Sequence, residues 1–109
     1  FMFPFLFDKT MEEVKQELDN NENIQRIDVR EPYEYEEAHI PGAWLLPLNE
    51  LEQKADNILQ EDKKYYVYCR SGQRSRTAVR KLKAIGYKDV YNIGGIIHWP
   101  YDKKTGKNR

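Results

Sequence analysis

The sequence predicts an α/β domain, with a mostly parallel sheet and helices on both of its faces. Three observations carry that expectation. Short apolar runs alternate with stretches whose apolar residues recur every three or four positions, so strand and helix signals take turns along the chain. Parallel strands need crossover connections of that kind. The chain has 109 residues, with no internal repeat and no obvious linker, which suits one domain.

Thr10-Met11-Glu12-Glu13 is a capping box, a hydroxyl followed three residues later by a carboxylate. Met11, Val14 and Leu18 recur behind it at helical spacing, predicting a helix over 11–19 that ends in the Asp19-Asn20-Asn21 turn. Ile24–Val29 reads as a short buried strand. Glu31-Pro32 breaks it, and Pro32 suits a first helical position for a short acidic helix over Tyr33–Ala38. Ile40-Pro41-Gly42-Ala43 is turn chemistry before the apolar Trp44–Leu48. Asn49 with Glu52 resembles a second capping box, and Leu51, Ala55, Ile58 and Leu59 give the helix behind it one apolar face. Tyr65–Cys69 is an aromatic and β-branched strand. Ser75–Ile85 is a helix with Ala78, Val79, Leu82 and Ile85 turned inward and Gly86 just past its end. Val90–Ile93 is another strand. Gly94-Gly95 opens a short final helix that includes Trp99, and the polar chain from Tyr101 is expected to fray. This divides the chain into an apolar arm at 1–9, a domain at 10–100 and a polar tail at 101–109. Phe1–Phe7 reads as a strand or arm over the core, with the trailing edge of an anchor upstream of Phe1 as its alternative.

Composition narrows the function. Eighteen Lys and Arg balance eighteen Asp and Glu. A general nucleic-acid binder is usually basic, so none is expected as a partner. One cysteine excludes a disulfide framework. One cysteine and two histidines far apart in sequence make a poor metal set, so no metal and no other cofactor is expected. A single free thiol fits a reducing, cytoplasmic compartment.

That cysteine heads the loop Cys69-Arg70-Ser71-Gly72-Gln73-Arg74-Ser75, between a buried strand and the start of a helix. In open α/β sheets, sites lie at the carboxyl ends of strands. A helix N-terminus offers unpaired N–H groups and the positive end of its dipole. Gly72 allows the backbone to curl so that several amides point inward, while Arg70 and Arg74 add positive charge. A thiol placed there should ionise readily. The bland alternative, a buried cysteine at a strand end, accounts for neither the glycine nor the two arginines. Arg76, Arg80, Lys81 and Lys83 extend the charge along the helix as a solvated face.

Here the sequence resembles the rhodanese homology domain. Asp28-Val29-Arg30-Glu31-Pro32, Glu34-Tyr35 and His39-Ile40-Pro41-Gly42-Ala43 are similar to its N-terminal signature. Tyr68–Ser75 is similar to its active-site loop. Gly86-Tyr87, Val90-Tyr91-Asn92 and Gly94-Gly95-Ile96 with Trp99 resemble its C-terminal signature. The resemblance runs from about residue 10 to residue 99. Ala38 departs from it, where the family commonly has Gly. The resemblance implies a five-stranded parallel sheet flanked by helices, and sulfur transfer through a cysteine persulfide.

In that chemistry Cys69 is the nucleophile that takes sulfur from a small anionic donor such as thiosulfate and passes it to a thiol or to cyanide. A protein persulfide is a further candidate partner. The amides of Arg70, Ser71, Gly72, Gln73, Arg74 and Ser75 would hold the anion, Arg70 and Arg74 would attract the donor, and the hydroxyls of Ser71 and Ser75 could donate hydrogen bonds, or either could simply cap the helix. Two rivals stand beside it. One is a non-catalytic interaction module, which often lacks the nucleophile. The other is a cysteine phosphatase of the same fold, which needs Cys-x5-Arg, whereas Ser75 holds the arginine's place. His39 reads as a structural histidine bonding the turn backbone, and His98 is assigned no catalysis. Asp28 and Arg30 read as a bracing ion pair. Glu31, Glu34, Glu36 and Glu37 read as solvated surface.

Overall fold

The computed structural model describes residues 9–21 and 23–109. The expectation for Phe1–Phe7 lies outside the described residues. The elements in order are α1 (Met11–Asn20), β1 (Ile24–Asp28), α2 (Pro32–Glu37), β2 (Trp44–Leu45), α3 (Leu51–Ile58), β3 (Lys64–Cys69), α4 (Gln73–Ala84) and β4 (Val90–Gly95). Short 3-10 turns lie at Leu48–Glu50 and Ile96–His98.

The sheet runs β2-β1-β3-β4 and every pairing is parallel. The described residues therefore form four strands rather than five. Pro47 brings no N–H, and Leu48 turns its own N–H to the Val29 carbonyl at 3.0 Å, so β2 stops after two residues. No further described segment pairs with β4. The chain steps from β1 outward to β2, then crosses back over β1 to β3. The carboxyl ends of β1 and β3 thus meet where the winding reverses, the usual place for a site in such a sheet.

Alternation along β3 divides the core in two. Tyr65, Val67 and Cys69 pack with Ala55, Ala78 and Leu82 under α3 and α4. Tyr66 and Tyr68 pack with Val14, Leu18, Tyr35 and Trp99 under α1 and α2. Each buried tyrosine needs a partner for its hydroxyl. Tyr65 accepts from the Gln60 N–H at 2.7 Å, Tyr68 accepts from the Ile40 N–H at 3.0 Å, and Tyr66 donates to Glu17. These bonds tie the central strand to loops on both sides of it.

Several local expectations hold. The Thr10–Glu13 capping box closes in both directions, and Pro32 opens α2. Past the end of α4, the Gly86 N–H reaches the Lys83 carbonyl and the Tyr87 N–H reaches that of Leu82, with Gly86 at φ 116°. That pairing is a Schellman close, and it needs a residue free to take positive φ. Other expectations fail. Asn49 caps nothing: it lies inside the 3-10 turn, and Glu50 precedes α3 without a side-chain cap. Ile85 is 39% exposed, because α4 ends one residue before it and the close turns it outward. Gly94 and Gly95 finish β4 rather than open a helix, and Trp99 follows the last 3-10 turn.

The polar tail does not fray. His39 and Lys104 exchange two backbone hydrogen bonds of 2.8 Å, an antiparallel bridge, and the Gly106 N–H donates to Glu36 at 2.8 Å. The Trp99 indole N–H donates to the Asp102 carbonyl at 3.0 Å. Backbone bonding, which composition does not reveal, holds the tail in place.

The expected Asp28–Arg30 pair is present and deeply buried. Asp28 accepts from the Arg30 backbone N–H at 2.9 Å and from its guanidinium at 2.8 Å, and Arg30 also donates to the Ala38 carbonyl at 2.6 Å. Removing one partner leaves the other charge buried and unpaired, which is costly. Arg30→Met should therefore lose about 3 kcal/mol of stability in urea unfolding. A loss below ~1 kcal/mol would show that the pair is dispensable.

Candidate active site

Cys69 ends β3, and its neighbour across the sheet is Gly95 at the end of β4. Its side chain is fully buried. Beyond it the chain turns through Arg70, Ser71 and Gly72 into α4. Gly72 stands at φ 113° as the N-cap, and this left-handed residue folds the loop back over the sulfur. The Gly72 N–H donates to Cys69 Sγ at 3.0 Å, and Ser75 Oγ lies 3.4 Å from the same sulfur. Burial works to raise the thiol pKa. The Ser75 hydroxyl, with the N–H groups of Ser75, Gly72 and Ser71, outweighs it and brings the pKa below its usual value.

Ser75 is held by a second buried polar group, Asn92. With the thiol neutral, the single Ser75 hydroxyl proton goes to Asn92 Oδ1 at 2.7 Å, and it turns to Sγ when Cys69 ionises; the Gly94 N–H donates to the same amide oxygen at 3.0 Å. Asn92 Nδ2 donates in turn to the Gly72 carbonyl at 3.2 Å. The neighbouring backbone N–H and carbonyl fix which end of the amide faces which way. Asn92 thus ties together the N-cap of α4, the Ser75 hydroxyl and the end of β4.

A register shift in β4 completes the closure. Val67 pairs with Asn92, but Tyr68 pairs with Gly94, so Ile93 is the extra residue of a bulge. Gly95 is thereby set against the loop. A Cβ built on it would stand 2.0 Å from the Arg70 carbonyl oxygen and 2.5 Å from Ser71 Cα. No side chain fits there. The same carbonyl accepts the Ile97 N–H at 3.2 Å.

The loop residues divide by orientation. Arg70, Ser71 and Gln73 are exposed at the mouth, while Gly72 and Ser75 are buried beneath it. Arg74, expected to attract the donor, is half-buried and already paired. Its Nη1 and Nη2 bond to Glu34 Oε1 and Oε2 at 2.7 and 2.9 Å, a bidentate pair. Glu34 is buried on α2 and lies outside the solvated acidic face assigned to it, because Arg74 and the Glu31 N–H take both of its oxygens. The Arg74 guanidinium, aided by the Glu31 N–H and against burial, lowers the Glu34 carboxyl to about 2. Arg76, Arg80 and Lys83 lie exposed along α4 as expected, and Lys81 reaches Glu52 at 3.4 Å.

His39 stands away from the sulfur. Its Nδ1–H donates to the Tyr35 carbonyl at 2.8 Å and its ring stacks on Tyr35 at 3.7 Å between centroids, so it bonds backbone as expected, but that of α2 rather than of the turn. His98 is exposed. Among the described residues, no three His, Cys, Asp or Glu side chains gather as a metal site. Three residues that matter here have no part in the site as the sequence predicts it: Asn92, Glu34 and Gly95. A polar residue inside an apolar strand was the signal available for Asn92. A second glycine directly after Gly94 was the signal for Gly95. Nothing in the spacing marks the Glu34–Arg74 contact, which joins residues 40 positions apart.

Comparison with known proteins places these features in context. The family model for the rhodanese-like domain matches residues 10–100. The chain is 45% identical over 99 residues to the "Putative sulfur carrier protein YrkF" of Bacillus subtilis, covering 90% of this chain and 50% of that protein. It therefore spans about half the length of that relative. A sulfurtransferase of Allochromatium vinosum is 37% identical over 89 residues, covering 81% of this chain and 82% of that one. Among solved structures, a rhodanese-like domain protein from Staphylococcus aureus superposes with a TM-score of 0.79 at 28% identity, covering 90% of this chain and 96% of its own.

Two substitutions test the cradle. Ser75→Ala removes a hydroxyl that favours the thiolate, so the Cys69 pKa should rise and alkylation by iodoacetamide at pH 7 should slow about tenfold. An unchanged pH profile of alkylation would exclude Ser75 from setting that pKa. Gly95→Ala forces β4 and the loop apart and should cost on the order of 3 kcal/mol in urea unfolding. A loss under ~1 kcal/mol would mean that the loop yields easily at this contact.

Proposed function

The chain belongs to the rhodanese-like domain family, and from that premise we propose that it moves a sulfane sulfur through a persulfide on Cys69. The carrying observation is the setting of that thiol. It is the chain's one cysteine, it stands at the carboxyl end of the central strand, and the amides of its own loop converge on it.

In the first half-reaction the Cys69 thiolate attacks the outer sulfur of the donor, thiosulfate or a persulfide. The new S–S bond forms as the donor's S–S bond breaks, and the electron pair leaves with sulfite or with the donor's thiolate. The outer sulfur of the resulting persulfide is itself an anion. The N–H groups of Ser71, Gly72 and Ser75 favour a charge on Sγ, and those of Gln73 and Arg74 open α4 with no partner inside the helix. Such preorganised donors stabilise charge at no reorganisation cost. In the second half-reaction a thiol, cyanide or a partner protein attacks the outer sulfur and frees Cys69. Arg70, exposed at the mouth, supplies positive charge toward the incoming anion.

The position six residues after Cys69 bears on the phosphatase alternative. Ser75 occupies it, and its hydroxyl turns inward to Asn92 and the sulfur. No guanidinium stands there to bracket phosphoryl oxygens. An interaction module would not need the converging amides or the lowered thiol pKa. Among the described residues, no helix is long and apolar enough to cross a membrane.

Incubation with thiosulfate, followed by intact-mass measurement, should add one sulfur atom to the protein. Cys69→Ser should add none, and its transfer to cyanide should fall to background. Failure of the unmodified protein to take up sulfur from thiosulfate and from a low-molecular-weight persulfide alike would overturn the proposal.

A further inference from the structure

The loop 69–75 carries two cations, and the structure treats them differently. Arg70 is exposed and makes no ion pair among the described residues. Arg74 is bound at both nitrogens by Glu34, whose side chain is only 11% exposed and whose Oε1 also takes the Glu31 N–H at 2.9 Å. A carboxylate fixed by its own helix and aimed at a guanidinium is a built contact. Behind it lies a second matched pair, Asp28 with Arg30, at 2.8 Å. The wall beside the cradle thus holds two negative and two positive charges. Arg76 is exposed two positions beyond Arg74, a spacing that turns it to another side of α4.

We propose that Glu34 is a specificity-determining residue. By cancelling the charge of Arg74 it leaves Arg70 as the unpaired cation of the loop, and so favours singly charged sulfane donors over doubly charged ones. The inference rests on the persulfide reading of Cys69 and narrows its donor class. It corresponds to an electrostatic discrimination built from inside the wall, without a contact between Glu34 and the donor. Arg74 lies close enough to Cys69 to feel its charge: the Glu34 bond raises the guanidinium pKa most, burial opposes it, and Glu34 and Cys69 add to the rise through their charges.

Two donors of nearly the same shape isolate the effect. Thiosulfate carries two negative charges. Methanethiosulfonate replaces one of its oxygens with a methyl group and carries one. With either, the Cys69 thiolate attacks the outer sulfur, the donor's S–S bond breaks, and sulfite or methanesulfinate leaves with the electron pair. Charge balances in both cases and no oxidant is consumed.

The quantity to measure is the ratio of kcat/KM for thiosulfate to that for methanethiosulfonate, with sulfur loading on Cys69 followed by intact mass. Because both donors are tested on the same preparation, the ratio does not depend on the fraction folded. Glu34→Gln should raise the ratio on the order of fivefold at low salt, and less as ionic strength increases. Arg74→Gln should lower it, and Glu34→Gln with Arg74→Gln should bring it back toward the unmodified value. A ratio that stays within twofold in all three variants would overturn the proposal and leave Glu34 as a brace between helices. Loss of loading from both donors in the unmodified protein would instead overturn the sulfur-transfer reading on which the proposal stands.

Discussion

Between the end of β3 and the end of β4, two backbones approach so closely that a Cβ on Gly95 would stand 2.0 Å from the Arg70 carbonyl oxygen. The loop can fold back over Cys69 because that space holds no side chain. The contact also sets the rest of the site. It depends on the bulge at Ile93, which places Gly94 and Gly95 one step along β3. Just before the bulge, strand alternation turns Asn92 toward α4, on the side of Val67 and Val90, where it holds both Ser75 and the Gly72 carbonyl. A thiol pKa below its usual value, in a buried position that alone would raise it, follows from this backbone arrangement.

Charge beside the cradle is paired. The sum over the sequence is zero, and much of that balance is local. Asp28 with Arg30 and Glu34 with Arg74 are matched next to the cradle, at the switch point of the sheet. A buried pair of this kind adds little net stability over an apolar replacement, but it is costly to break and it fixes geometry. Here the geometry fixed is that of α2 against the first turn of α4. The buried tyrosines act in a similar way: each hydroxyl of β3 reaches a loop or α1, so the central strand is held along its length by polar bonds as well as by apolar packing.

Much of this was legible in the sequence. Local signals were reliable where the physics is local. The Thr10–Glu13 box, Pro32 at the start of α2 and Gly86 past the end of α4 all rest on a few adjacent residues, and all appear as expected. The cysteine loop was legible because its parts are contiguous. Long-range contacts were not. The Glu34–Arg74 pair joins an expected surface acid to a cation of the loop, a contact no local spacing marks. The bridge from Lys104 to His39 held down a tail whose composition suggested fraying. Asn49 failed because the 3-10 turn set by Pro47 moved the start of α3 beyond its reach. In each case a partner distant in the chain, or a backbone turn, overrode a sound local preference.

The complete burial of Cys69 limits what can reach it. A disulfide needs its two sulfurs about 2 Å apart. Two copies of this chain cannot bring their single sulfurs that close while both loops remain folded, so the resting protein is guarded against coupling to itself. The loop that lowers the thiol pKa is also its cover, so a reagent has to pass Arg70, Ser71 and Gln73 at the mouth before it meets the sulfur.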